Sequence, residues 1–199
     1  MSASVAFRDV TVNAPGGVPI LRGITLDIAA GETVAFIGRS GAGKTTTLRL
    51  VNGLAAPSAG EVRVNGESLT AVDLVALRRR IGYIIQGAGL FPHRSVYDNV
   101  ATVPRILRWN EERIRDAARP LLDSLGLQFE VFASRFPRSL SGGEQQRVGI
   151  ARALIADPEI LLCDEPFGAL DPIVRGELQD AFRSVRTGAT ILFVTHDLR

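Results

Sequence analysis

The chain has 199 residues, and its composition excludes several classes of protein. Hydrophobic residues make up 46% and charged residues 22%, as in a folded globular domain. The net charge is only +2, with no basic stripe interleaved with aromatic residues, so we expect no nucleic-acid partner. The single cysteine, Cys163, excludes an internal disulfide. Neither a secretory signal nor an apolar stretch of roughly 20 residues is present, so we expect another chain to carry this one to any membrane.

The first third of the chain predicts strands. Residues 5–12 and 24–28 alternate apolar and polar side chains, as half-buried antiparallel strands do. The segment EVRVNGESL alternates in the same way and turns at Asn65-Gly66, a strong signal for a tight hairpin. Between them, TVAFI over 33–37 is a short apolar run that predicts a strand buried on both faces.

The rest of the chain predicts helices followed by alternating strands and helices. The expected elements are helix 73–80, strand 81–85, a helical stretch from Ser95 to about Leu125 broken near Pro104, Asn110 and Pro120, helix 141–156, strand 160–163, helix 172–186 and strand 190–195. Alternation of helices with apolar strands indicates a parallel sheet flanked by helices.

The stretch GRSGAGKT matches the phosphate-binding loop pattern Gly-x-x-x-x-Gly-Lys-Thr. Its context agrees, because an apolar strand precedes it and a helical pattern follows it. Glycines let successive backbone N–H groups curl around an anion, and the N-terminus of the next helix adds positive potential. The residues predicted to bind nucleotide are Gly38, Arg39, Ser40, Gly41, Ala42, Gly43, Lys44, Thr45 and Thr46.

Lys44 is the only lysine among the 23 Lys and Arg residues of the chain. We expect its compact ammonium to reach the outer phosphates inside the loop, where the wider planar guanidinium of arginine would not fit. The hydroxyl of Thr45 is predicted to bind magnesium. The alternative is an ordinary glycine-rich turn with a surface lysine, and the flanking strand and helix argue against it.

The stretch ILLCDEP, residues 160–166, is an apolar strand that ends in two acids. A strand end beside the phosphate loop would place Asp164 near Thr45 and its magnesium. Because adjacent strand residues point in opposite directions, Glu165 is predicted to do something else, namely to polarise the water that attacks the γ-phosphate. Without the phosphate loop, two solvated acids at a strand end would be the alternative.

The stretch LSGGEQQRVGIARAL, Leu140 to Leu154, resembles the signature sequence of the ABC (ATP-binding cassette) ATPases. Its Ser-x-x-Glu start is also a capping-box pattern that opens an amphipathic helix, and such a helix N-terminus can bind an anion. The resemblance implies that this N-terminus faces the γ-phosphate held by the phosphate loop of a second subunit. The residues concerned are Ser141, Gly142, Gly143 and Glu144.

Three further positions match the same family. Gln86 resembles the glutamine that contacts magnesium and senses the membrane partner. Asp171 matches a residue of the loop that crosses the dimer interface. His196 resembles the switch histidine that contacts the γ-phosphate. The resemblance thus implies catalytic roles for Glu165, His196 and Lys44, and magnesium contacts from Thr45, Gln86 and Asp164.

The resemblance covers essentially the whole chain and implies an α/β fold. That fold is a P-loop NTPase (RecA-like) core with an N-terminal antiparallel β subdomain and an inserted α-helical subdomain. The implied division of the single domain 1–199 assigns 1–87 and 157–199 to the core and 88–156 to the helical signature subdomain. The chain stops three residues after His196, where family members continue, so it is either a fragment or a short gene product.

The segment from Gly89 to Trp109 resembles ATPases of importers for quaternary-amine osmoprotectants such as glycine betaine. This implies an ATPase with ATP and Mg²⁺ as cofactors, working as a homodimer or pair of ABC subunits on the cytoplasmic face of the membrane. Permease subunits would dock near Gln86 to Trp109, and a periplasmic or extracellular solute-binding protein would act indirectly. The alternatives are another importer, an exporter, a non-transport ABC protein or a truncated, catalytically silent module.

Two features of the sequence depart from the family pattern. Ala14 stands where members commonly carry an aromatic residue that stacks on adenine, which predicts weaker nucleotide binding. The small residues Gly87 and Ala88, directly after Gln86, predict a loosely held loop.

Overall fold

The computed structural model describes residues 2–167, 175–176, 179–180, 182 and 188–195. The chain forms two compact units, the first made of Met1–Ile81, Glu159–Asp164 and Gly188–Arg199 and the second of Gly82–Pro158 and Glu165–Thr187. The predicted helix over 172–186 lies largely outside the described residues. The predicted division into a core and a helical signature subdomain stays a prediction.

The helices and strands follow the predicted order, with one addition that was not predicted, a short helix over 129–132. They are β1 (Val5–Asn13), β2 (Pro19–Ile28), β3 (Thr33–Ile37), α1 (Lys44–Val51), β4 (Ala59–Val64), β5 (Glu67–Ser68), α2 (Leu74–Arg78), β6 (Ile81–Ile84), α3 (Val96–Val100), α4 (Thr102–Ile106), α5 (Glu111–Ser124), α6 (Phe129–Phe132), α7 (Gly142–Leu154), β7 (Ile160–Asp164) and β8 (Thr190–Thr195). No helix among the described residues has the length and apolar character needed to cross a membrane.

An antiparallel sheet with the strand order β2-β1-β4-β5 lies in the first unit. Alternate residues of β1 are buried, as the sequence pattern predicts, first Val5 and Phe7 and then, after a shift in register, Val10 and Val12. Strands β4 and β5 are joined by Asn65 and Gly66, whose φ angles of 52° and 80° suit a tight hairpin. The predicted turn is therefore confirmed.

A parallel arrangement of β3, β8 and β7 brings the carboxyl ends of these strands to one edge of the first unit. Ile37 pairs with Thr195 and Asp164 with Val194, so the loop after β3 and the end of β7 lie at that edge. All of β7 is buried. The prediction that β3 is buried on both faces is wrong, because β3 is the edge strand of this sheet and Ile37 remains 53% exposed.

The helices of the second unit other than α6 lie where the sequence places them, but one predicted break is absent. Helix α3 separates from α4 at Ala101, close to Pro104, and Asn110 caps the start of α5. The break predicted at Pro120 is wrong, since α5 continues through it. A buried apolar face of α5 offsets the roughly 3 kcal/mol that a proline costs inside a helix. This face consists of Ile114, Ala118 and Leu122.

Candidate functional site

The predicted phosphate loop joins β3 to α1 in the first unit. Gly41 and Gly43 have φ angles of 81° and 82°, in the left-handed region that favours glycine. A Cβ on Gly43 would lie 2.6 Å from Leu21 Cδ2 and 3.1 Å from the carbonyl oxygen of Ile20, so β2 leaves room only for glycine. Gly43 is also the N-cap of α1, and no side chain caps this helix. Its first N–H groups are thus oriented toward the loop as anion donors.

The ammonium of Lys44 lies against the backbone of the same loop. Its Nζ donates to the carbonyl oxygens of Gly38 at 2.7 Å and Arg39 at 2.9 Å. These contacts hold the positive charge over the loop, within reach of an anion bound by the N–H groups. All nine predicted nucleotide-binding residues lie in this segment, from the end of β3 to the first turn of α1.

Thr45 and Asp164 are brought together as predicted. Thr45 Oγ1 donates to Asp164 Oδ1 at 2.8 Å, and Asp164 is only 6% exposed at the carboxyl end of β7. A hydroxyl beside a carboxylate supplies the hard oxygen donors that Mg²⁺ prefers, so these residues fit the ion. In the described part of the chain, no three His, Cys, Asp or Glu side chains form a metal cluster. A magnesium ion here would take its other oxygens from phosphate and water.

Glu165 has a different partner from Asp164, although the two are consecutive. Gln86 Nε2 donates to Glu165 Oε2 at 3.3 Å within the second unit. Glu165 has a φ of 47°, an uncommon conformation for a non-glycine residue and one found often at functional sites. The contact with Gln86 orients the carboxylate that the sequence assigns to catalysis. The predicted magnesium contact of Gln86 stays a prediction.

The signature helix α7 begins with the capping box that the sequence predicts. Ser141 Oγ accepts the N–H of Glu144 at 3.2 Å, and the Glu144 carboxylate accepts the N–H of Ser141 at 2.7 Å. Gly143 is buried, whereas a Cβ on Gly142 would meet no atom within 4 Å. The N-terminus of α7 therefore presents an open surface at Gly142 with the positive end of a 13-residue helix behind it.

Replacing Ser141 by alanine is expected to lower the free energy of unfolding by about 1 kcal/mol, because the cap of α7 is lost. Urea unfolding followed by circular dichroism measures this change. The matched control is Ser139→Ala, since the Ser139 hydroxyl only donates to the carbonyl oxygen of Phe136 at 2.9 Å. Equal destabilisation by the two substitutions would contradict the capping role.

Two predicted site residues cannot be placed. Asp171 of the predicted dimer loop and the predicted switch histidine His196 both lie outside the described residues. Their roles stay predictions.

The predicted docking segment, from Gln86 to Trp109, presents exposed apolar side chains among charged ones. Phe91 is 40% exposed and Ile106 50% exposed. Arg105 binds the carboxylates of Asp98 at 2.8 Å and Glu111 at 2.7 Å and so connects α3, α4 and the start of α5. Its hydrogen bond to Asp98, with one from Ser95, holds the pKa of that carboxyl below its usual value.

Sequence reasoning missed how the loop of residues 86–91, called here the Gln86 loop, is held. Arg152 of α7 donates to the carbonyl oxygens of Ala88 and Gly89, both at 2.8 Å. Buried Asn99 of α3 accepts the N–H of Phe91 at 2.8 Å and donates back to its carbonyl oxygen at 3.2 Å. The expectation of a loosely held loop is therefore wrong. The arginine of the IARAL stretch gave no sequence signal, because its partners are backbone atoms.

Comparison with known proteins gives one family and several relatives. The family model described as "ABC transporter" matches residues 21–168. The glycine betaine/carnitine/choline transport ATP-binding protein OpuCA of Bacillus subtilis is 49% identical over 92% of this chain and 48% of its own length. The choline transport ATP-binding protein OpuBA of the same organism is 45% identical over 98% of this chain and 51% of its length. The chain spans about half the length of these curated relatives.

Solved structures agree with this match. The ATP-binding cassette MJ0796, in a dimeric post-hydrolysis state bound to ADP and Pi, is 34% identical with a TM-score of 0.86. The alignment covers 98% of this chain and 88% of that one. The predicted α/β fold class is thereby confirmed.

Proposed function

Because this chain belongs to the ABC transporter family, we propose that it binds ATP with magnesium, hydrolyses it and energises uptake of a quaternary-amine osmoprotectant through separate membrane subunits. The observation that carries the ATPase part is the phosphate loop with Lys44 held over it and Thr45 bonded to Asp164. The substrate part is supported by the relatives' names, which include glycine betaine, carnitine and choline.

The first unit supplies phosphate binding in this proposal. Backbone N–H groups of the glycine-rich loop and the N-terminus of α1 bind the phosphates, and the Lys44 ammonium neutralises charge on the outer ones. Thr45 and Asp164 would hold magnesium, which offsets charge on the phosphoryl oxygens when it is bound. Fixed charges of this kind stabilise a phosphoryl-transfer transition state with little covalent work by the protein.

Glu165 is the base in this proposal, and α7 supplies the signature residues. Glu165 accepts a proton from the attacking water, and the hydrogen bond from Gln86 holds its carboxylate in one orientation. Two copies associate so that the N-terminus of α7 in one copy faces the γ-phosphate bound by the other. This arrangement is supported by the open surface at Gly142 and by the dimeric state of the related cassette.

We further propose that the chain acts at the cytoplasmic face of a membrane, where permease subunits dock near Gln86 to Trp109. A solute-binding protein outside the membrane would deliver the solute. A second candidate is an importer of another solute, since the methionine import ATP-binding protein MetN of Caulobacter vibrioides is 41% identical over 98% of this chain. The 49% identity to OpuCA of Bacillus subtilis favours the first candidate over MetN and over the sulfate/thiosulfate import ATP-binding protein CysA of Bradyrhizobium diazoefficiens, which is 45% identical over 92% of this chain.

Uptake assays separate these two candidates. Cells that lack their own osmoprotectant systems would express the protein with a glycine betaine permease and its binding protein, or with a methionine permease set. We expect uptake of labelled glycine betaine or choline in the first case only, and its loss in Lys44→Ala. Uptake of methionine alone would contradict the proposed substrate and leave the ATPase assignment standing.

Replacing Ala14 by tyrosine is expected to tighten ATP binding about tenfold, because an aromatic ring can stack on the base for about 1–3 kcal/mol. In the loop between β1 and β2, the backbone N–H of Ala14 donates to the carbonyl oxygen of Val18 at 2.7 Å. The substitution leaves this backbone hydrogen bond intact. Equilibrium binding of a fluorescent ATP analogue measures the gain. Ala14→Leu is the control for added apolar bulk, and equal tightening by both variants would argue against stacking.

A further inference from the structure

We propose that Arg152 is a positioning residue that ties the Gln86 loop to the signature helix α7, so that loop and helix move together. The inference rests on the proposed function, since it gives the ATPase a link between its docking segment and its signature residues. Both ends of this link lie in the second unit.

The first support is the pair of hydrogen bonds from one guanidinium to two successive carbonyl oxygens. Arg152 Nη2 donates to Ala88 and Nη1 to Gly89, each at 2.8 Å. Burial lowers the pKa of this guanidinium, which nevertheless stays charged in proteins. Charge-assisted bonds of this kind are roughly twice as strong as neutral ones, and the planar fork fixes the direction of both carbonyl groups.

The second support is close packing between the same helix face and the same loop. Gly149 lies three residues before Arg152 and so shares its face of α7. A Cβ on Gly149 would lie 3.3 Å from the carbonyl oxygen of Ala88 and 3.5 Å from its Cβ. Two small residues therefore let the loop backbone approach the helix closely enough for Arg152 to reach it.

The third support is the conformation that Arg152 stabilises. Gly87, Ala88 and Gly89 have φ angles of 77°, 58° and 51°, three left-handed residues in succession. For Ala88 this conformation is intrinsically unfavourable, because its Cβ crowds the following carbonyl group. The loop would relax without an external restraint. Arg152 provides that restraint at Ala88 and Gly89, and Asn99 fixes the next part of the loop at Phe91.

The position of Arg152 in α7 determines what the link can transmit. Ser141 caps the other end of the helix, 11 residues away, or about 16 Å along the axis. Phe91 is 40% exposed at the far end of the loop, and the guanidinium of Arg152 lies 5.8 Å from its ring centroid. A partner that displaces Phe91 therefore shifts the C-terminal half of α7, and the rigid helix carries the shift to its N-terminus.

Hydrogen exchange of the purified chain tests the link. Arg152→Gln is expected to speed exchange of the backbone amides of residues 87–90 about tenfold without nucleotide, because the bonds to a charged group are lost. Arg147→Gln is the matched control, since Arg147 lies on the same helix and donates to the carbonyl oxygen of Leu125. The control should leave residues 87–90 within about twofold of wild type.

Nucleotide extends the test to the coupling itself. In a Glu165→Gln background, ATP with magnesium is expected to slow hydrogen exchange of the backbone amides of both 87–90 and 142–145. When Arg152→Gln is added to this background, ATP should slow exchange at 142–145 only. In the catalytically intact chain, Arg152→Gln should lower kcat about tenfold and leave the KM for ATP within about twofold, because the phosphate loop is unchanged. Arg147→Gln should change neither constant by more than about twofold.

The outcomes distinguish this proposal from the proposed function. Wild-type exchange at 87–90 in Arg152→Gln, or equal acceleration in Arg147→Gln, would overturn the positioning role. Arg152→Lys keeps the positive charge but lacks the planar guanidinium, so exchange at 87–90 should be intermediate between wild type and Arg152→Gln. If Arg152→Gln does not fold, the exchange rate of Arg152→Lys tests the positioning role instead. A wild-type chain without any response to ATP would contradict the proposed function, while exchange without nucleotide would still test the link.

Discussion

Replacing Glu165 by glutamine is expected to slow ATP hydrolysis about 100- to 1,000-fold and to leave ATP binding within about threefold. The amide has nearly the same shape as the carboxylate but cannot take a proton from water. The left-handed φ of 47° at this position is no more unfavourable for glutamine than for glutamate, so the fold is preserved. Single-turnover hydrolysis and equilibrium binding of a fluorescent ATP analogue measure the two effects separately.

Glu159→Gln provides a control for the loss of one negative charge. Glu159 lies just before β7 and pairs with Arg80 at 3.3 Å, so hydrolysis by this variant should stay within about twofold of wild type. Glu165→Gln should also accumulate an ATP-dependent dimer, visible by light scattering, because bound ATP persists. Near wild-type hydrolysis by Glu165→Gln would show that another residue acts as the base.

Replacing Gly142 by aspartate is expected to abolish ATP-dependent dimerisation and to lower hydrolysis about 100-fold without destabilising the chain. A Cβ at this position meets no atom within 4 Å, and an acidic side chain in the first turn of a helix is favourable. The melting temperature should therefore stay equal or rise slightly. The new charge, however, would face the γ-phosphate of the opposite subunit, and facing like charges cost several kcal/mol.

Gly142→Ala separates the effect of charge from that of size. It adds the same Cβ without a charge, so hydrolysis should fall no more than about fivefold. Thermal unfolding and steady-state hydrolysis are measured on both variants, and light scattering with ATP is measured on both in the Glu165→Gln background, where bound ATP persists. Normal dimerisation and hydrolysis by Gly142→Asp would show that the N-terminus of α7 does not face a phosphate of a second copy.

Much of the fold and part of the site could be predicted because local chemistry determines them. The phosphate loop, the Asn65-Gly66 hairpin and the capping box of α7 each depend on residues close together in sequence. The contact of Thr45 with Asp164 spans 119 positions, yet it was predictable because parallel strands bring their carboxyl ends to one edge.

The errors have a common physical cause, which is that tertiary contacts outweigh local preference. Pro120 should end a helix, but burial of the apolar face of α5 keeps the helix intact. The composition of TVAFI suits a buried strand, whereas its exposure depends on its place at the sheet edge. The small residues Gly87 and Ala88 predict a loosely held loop. In the structure, Arg152, more than 60 residues away, binds the loop through its backbone carbonyl groups.

Steady-state hydrolysis of ATP by the purified chain, with and without magnesium, tests the central claim most directly. Lys44→Ala is measured alongside it, with Arg49→Ala as the control for an exposed cation on the same helix. We expect magnesium-dependent hydrolysis by the wild-type chain, a loss of about 100-fold or more in Lys44→Ala, and activity within about twofold of wild type in Arg49→Ala. No hydrolysis by the wild-type chain would contradict the ATPase assignment, and hydrolysis that persists in Lys44→Ala or does not depend on magnesium would contradict the assigned site.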